Sequence, residues 1–151
     1  MADDTTAFGD QIVESVFIEA TPDVVFPYLV DSDLMTKWMG KEILGKAVVG
    51  EKYHVRVNDS HVALGEYQVV DSPSRVVFTF GWDAPDNPTP PGSSTVEITL
   101  TKDGDGTIVK LVHSGLRNDT RADHSKGWAM YIGRLAAAAI GGDPGPDPNQ
   151  G

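Results

Sequence analysis

Arg75-Val76-Val77-Phe78-Thr79-Phe80-Gly81-Trp82 is the stretch on which the fold turns. Branched and aromatic residues crowd it, which favours a strand, and a period of two puts Val76, Phe78, Phe80 and Trp82 on one face. Side chains that large need a partner layer to bury them. Upstream, Asp71-Ser72-Pro73-Ser74 is turn chemistry. Before it, Val62 to Val70 alternates, with Ala63, Gly65, Tyr67 and Val69 together. Asn58-Asp59-Ser60 is a further turn, and Lys52 to Val57 sends Tyr53, Val55 and Val57 one way. Ile43 to Val48 is a candidate strand ahead of these. Downstream, Asp83 to Gly92 holds four prolines among polar residues and reads as a loop. Ser94 to Thr101 groups Val96, Ile98 and Leu100. Asp103-Gly104-Asp105-Gly106 makes a tight hairpin, and Thr107 to His113 returns with Val109, Leu111 and His113 on one face.

The flanks supply the helices. Gln11 to Glu19 alternates as a first strand, with Ile12, Glu14, Val16 and Ile18 on one side. Thr21 suits an N-cap and Pro22 a first helical turn. Val24, Val25, Tyr28 and Leu29 follow at helical spacing, with Pro27 ending or bending the helix. Asp31 or Ser32 can cap a second short helix carrying Leu34, Met35 and Trp38, which Gly40 stops. Near the C-terminus, Trp128, Tyr131, Ile132, Leu135, Ala138 and Ala139 form the apolar stripe of a long helix. Asp119, Thr120 or Asp123 would cap it, and Gly141-Gly142 would end it. The order predicts an α+β domain: a curved antiparallel sheet wrapped around a long C-terminal helix, with two short helices after the first strand. Residues 1–9 are expected to be a flexible N-terminus, 10–141 the domain, and 142–151 a disordered tail with no apolar residue to bury.

The 151 residues suffice for one core. No cysteine is present, so thiol catalysis, disulfides, iron–sulfur clusters and cysteine-based zinc sites are excluded. Twenty-two acidic against 12 basic residues give a net charge of −10, without the cationic footprint of a nucleic-acid binder or an anionic-membrane binder. The polar, acidic start is not that of a secretory signal, and no stretch is apolar enough for a membrane helix. A soluble, cytoplasmic protein is expected.

Specific stretches resemble a known family. Ile18-Glu19-Ala20-Thr21-Pro22-Asp23-Val24-Val25-Phe26, Leu34-Met35-Thr36-Lys37-Trp38-Met39 and Val49-Gly50-Glu51-Lys52-Tyr53 open the likeness. Gly65 to Phe80, Gly92 to Leu100, Gly106-Thr107, Leu111 to Leu116, Gly127-Trp128 and Tyr131 to Leu135 carry it through the sheet to the last helix. In order and spacing these resemble the START-like (SRPBCC, helix-grip) superfamily, in the branch of the activator of heat-shock-protein ATPase. The resemblance spans roughly residues 10–140 and implies the helix-grip fold. Eukaryotic co-chaperones of this branch carry a second domain, so chaperone activation is not the expected role.

Alternation turns Trp38, Tyr67, Phe78, Phe80, Trp82, Trp128 and Tyr131 toward the space under the helix, or onto the elements closing it. Among the histidines it turns only His113 inward. His54 and His61 are expected to face solvent and His124 the polar side of the helix. Arg56 reads as a solvated strand charge. These aromatics and His113 are the predicted ligand-binding residues for a small hydrophobic molecule, lipid or polyketide-like, because Tyr and Trp join an apolar body to one polar tip. No nucleophile motif, phosphate loop or metal-ligand spacing stands out, so no cofactor or metal is expected. Two alternatives stay open: an aromatase/cyclase-type enzyme using His113, Tyr67 and Tyr131 in the same cavity, or a protein–protein, co-chaperone-like module. Self-association as a homodimer is also left open.

Overall fold

The computed structural model describes residues 11–84, 89–116 and 118–145, with the side chains of 118–123 excepted. The expected flexible N-terminus and most of the expected tail therefore lie outside what is described; Asp119, Thr120 and Asp123, expected to cap the last helix, fall inside it instead, because it already begins at Asn118. The strands are β1 (Ile12–Ile18), β2 (Glu42–Leu44), β3 (Lys52–Asn58), β4 (His61–Asp71), β5 (Arg75–Trp82), β6 (Ser94–Asp103) and β7 (Gly106–Ser114). They form one antiparallel sheet in the order β1-β7-β6-β5-β4-β3-β2. From β2 to β7 the sheet is a meander, and β1 closes beside β7. The long helix α4 (Asn118–Ala139) lies over the face that collects the inward residues.

Two short helices were predicted and three form: α1 (Pro22–Val25), α2 (Pro27–Val30) and α3 (Ser32–Met35). Pro27 marks the break between α1 and α2, since it has no N–H to continue the ladder. Thr21 takes the N-cap position of α1 in extended backbone without a side-chain cap bond, whereas the Asp31 carboxylate accepts from the N–H groups of Asp33 and Leu34 and so caps α3. The predicted second strand contracts to Glu42–Leu44, leaving Val48 and Val49 exposed beyond it.

The α4 stripe is as expected: Trp128, Tyr131, Ile132, Leu135, Ala138 and Ala139 are all buried. On the sheet, Val76, Phe78 and Phe80 are buried and Trp82 is half-buried. Alternation breaks at a bulge in β4. A register shift between Tyr67 and Val69 leaves Gln68 out of the β4–β5 pairing, so Val70 rather than Val69 returns to the core cluster. Arg56 faces outward, 3.3 Å from Glu42 on the neighbouring strand. Beyond α4, Arg134 donates to the carbonyls of Trp38 at 2.9 Å, Pro144 at 3.0 Å and Gly145 at 2.8 Å, which ties the start of the predicted tail to the domain. No helix among the described residues is long and apolar enough to cross a membrane.

Candidate functional site

A cavity of about 440 Å³ lies between the sheet and α4. Its wall is built by parity. β3 contributes Tyr53, Val55 and Val57; β4 contributes His61, Ala63 and Tyr67; β5 contributes Phe78, Phe80 and Trp82. From α4 come His124, Gly127, Trp128 and Tyr131, one helical face. Met35 and Met39 complete the lining with Asn58. The described lining contains no Lys, Arg, Asp or Glu. Its volume falls in the range of small-molecule pockets, and its make-up is theirs too: mostly apolar and aromatic, with a few polar groups.

Of the residues singled out from the sequence, the structure brings Tyr67, Phe78, Phe80, Trp82, Trp128 and Tyr131 into this wall. It places Trp38 and His113 elsewhere. Trp38 packs against a separate void of about 10 Å³ with Ile98, Val109, Leu111, Ile132 and Leu135. Its indole N–H donates to the Tyr28 carbonyl at 2.8 Å, so it serves as core.

His113 is 0% exposed, behind Phe80 and Trp128. The Trp128 indole N–H donates to Nδ1 at 2.9 Å. An indole can only donate, so Nδ1 accepts and the proton of the neutral ring sits on Nε2. Nε2 lies 2.8 Å from Ser94 Oγ, which passes its own proton to the Phe80 carbonyl, also at 2.8 Å. Every donor in that chain has an acceptor. Burial, with a smaller contribution from neighbouring His124, pushes the His113 pKa down to about 3. Protonation would set an Nδ1–H against the Trp128 N–H.

Two further histidines line the cavity, contrary to the sequence expectation. His124 accepts the Trp82 indole N–H on Nε2 at 3.0 Å. It stands four and seven residues before Trp128 and Tyr131, the spacing of one helical face, and that signal was available. His61, though exposed, also lines the cavity, with its ring 6.1 Å from that of Trp82. It shares parity with Ala63 and Tyr67. Starting the strand at Val62 hid this, because β4 begins at His61.

Tyr53 and Tyr67 stand side by side in the wall, their rings 5.6 Å apart. Tyr53 donates to the Thr79 carbonyl at 2.6 Å, and its ring meets Phe78 edge-on at 5.2 Å. Burial raises its pKa well above the ordinary tyrosine value, and nearby Tyr67 adds to this. Burial alone pushes Tyr67 up to about 12, so both phenols keep their protons at neutral pH. Among the described residues no group of three or more His, Cys, Asp or Glu is arranged to hold a metal.

An open antiparallel sheet closed over a long C-terminal helix, with an apolar cavity between them, defines a helix-grip protein of the START-like class. Within that class the chain belongs to the family described as Activator of Hsp90 ATPase homolog 1-like protein, whose profile matches residues 19–139. The AHSA1-like protein of Rhizobium etli is 39% identical with a TM-score of 0.73, over 93% of this chain and 88% of that one. DynU16, from the dynemicin biosynthetic locus, is 23% identical with a TM-score of 0.78; the match covers 89% of this chain but 49% of DynU16. This chain thus spans about half the length of DynU16. The Aha1 dimer of Colwellia psychrerythraea is 22% identical with a TM-score of 0.77, over 87% of this chain and 97% of that one. At those lower identities the likeness speaks for the fold. No curated protein matches the chain.

Proposed function

We propose that this protein binds a small hydrophobic molecule between sheet and helix and carries out no chemistry on it. The observation that carries the reading is the cavity of about 440 Å³ itself, walled by aromatic side chains on three strands and a helix. A core that only had to fold would fill such a space. Ligand contact falls to Tyr67, Phe78, Phe80, Trp82, Trp128 and Tyr131, with His61 and His124 added. Trp38 and His113 act from behind the wall. Burial of apolar ligand surface supplies the affinity, at about 25 cal/mol per Å², less the cost of ordering. The absence of catalysis is supported by the described lining, which offers no carboxylate or lysine, and by His113, both of whose nitrogens are engaged. DynU16 belongs to a biosynthetic locus, which fits a metabolite as cargo. The Colwellia neighbour is a dimer, a precedent for self-association here. We place the protein in the cytoplasm.

Native mass spectrometry of the protein purified from its own host, without detergent, tests the binding. A retained small molecule lost on denaturation is the expected result. No retained mass, together with no thermal shift across a panel of hydrophobic metabolites, would overturn it.

A further inference from the structure

We propose that the molecule this cavity takes is uncharged, has a flat aromatic body, and presents an oxygen acceptor to the Tyr67 hydroxyl. This rests on the binding reading above and narrows it.

The acceptor follows from an account of the polar groups in the wall. Tyr53 gives its proton to the Thr79 carbonyl, Trp82 to His124 and Trp128 to His113. Tyr67 is 4% exposed and lines the cavity, yet among the described residues its hydroxyl has no hydrogen-bond partner. Nor is it among the side-chain polar atoms that are sealed off without a hydrogen bond among the described residues. The Tyr67 hydroxyl therefore opens on cavity space. Burial holds it protonated, so it has a donor to give. A buried donor left unpaired is costly, and an occupant with a carbonyl or ether oxygen relieves that cost.

The absence of charge follows from the lining. The described wall offers no cation to a carboxylate or sulfonate and no carboxylate to an ammonium. An ion drawn from water into such a space loses its hydration without gaining a partner. The chain's net charge of −10 opposes anions before they arrive. The aromatic body follows from the rings. Phe78 is met edge-on by Tyr53 and Tyr67, at 5.2 and 6.1 Å, and Phe80 meets Trp82 edge-on at 5.4 Å. Such walls present alternating faces and edges, to which a flat ring system is complementary.

Two matched pairs of probes test this. N-phenyl-1-naphthylamine and 8-anilinonaphthalene-1-sulfonate differ essentially by the sulfonate, and both report binding by fluorescence. The neutral probe is expected to bind at least about tenfold more tightly. 9-Fluorenone and fluorene differ by the carbonyl oxygen. Measured by displacement of the neutral probe, fluorenone is expected to be favoured by about fivefold, and Tyr67→Phe to abolish that preference, with fluorene binding at least as tightly as in the parent. An unchanged thermal midpoint would show that the variant is folded. Equal or tighter binding of the sulfonate overturns the uncharged occupant, as does a carbonyl preference that is absent, or that survives in Tyr67→Phe, for the acceptor. Saturable neutral-probe binding with either of those results sinks this inference and leaves cavity binding standing. If no probe binds, both fall.

Discussion

His113 shows how a single side chain can be inward and yet not part of the site. Parity in β7 placed it inside, but not beside Trp128 and Ser94, which lie 15 and 19 residues away in the chain. Strand alternation assigns a face; it does not assign a partner on another element. Burial, with a smaller contribution from His124, holds the ring neutral, with its pKa near 3 against about 6.5 when unfolded, and the Trp128 N–H on Nδ1 is a donor that a second ring proton would oppose. Between those values the unfolded chain binds the extra proton, so stability from this group is complete above about pH 6.5 and is lost as the pH falls below it. The loss is at most about 1.4 kcal/mol per pH unit. Urea midpoints taken from pH 7 to pH 4 should show it, with a shallower slope in His113→Gln. An identical slope would mean that other groups carry the acid sensitivity. Trp128→Phe removes the opposing donor, so the His113 resonance, silent from pH 5 to 8 in the parent, should move toward the ordinary histidine range. If it stays silent there, burial alone holds the ring neutral.

Strands and helices were legible wherever a long run kept one period. The α4 stripe and the inward residues of β3, β5, β6 and β7 could be read directly. The reading failed at interruptions. The bulge at Gln68 shifts parity from Val69 to Val70, and nothing in a run of QVV announces it. His61 was lost to a strand boundary set one residue late, and His124 to a helix face drawn from apolar residues alone. Gly65 shows what an element needs beyond period. A Cβ there would come within 2.4 Å of the Tyr53 ring, as well as meeting the Thr79 carbonyl. That carbonyl is the one Tyr53 donates to, so the missing side chain lets the ring cross β4 and reach β5. Gly65→Ala should therefore cost about 1–3 kcal/mol by urea denaturation and expose the Tyr53 phenol to titration below its present, raised value. A stability within a few tenths of the parent's would show that the strands can part at no cost and that Tyr53 is not locked by the crossing.

For the whole molecule, the cavity was the feature least determined by pattern. Alternation says which side chains face inward, not whether they fill the volume they enclose. The volume depends on small residues at facing positions: Ala63 on β4, and Gly127 on α4, where an added Cβ would meet nothing within 4 Å. Leaving that space open gives up contacts that a tighter core would make, so stability and binding should pull in opposite directions. Ala63 is 2% exposed and lines the cavity from the strand between Val55 and Trp82, which makes it the place to test the trade. Ala63→Leu should raise the unfolding free energy by about 0.5–2 kcal/mol, as cavity-filling changes do, and weaken binding of N-phenyl-1-naphthylamine by roughly tenfold or more. A gain in both would place the probe elsewhere on the surface. A loss of stability would mean that neighbouring side chains already claim the volume in solution, and the cavity would then be a space that only a guest holds open.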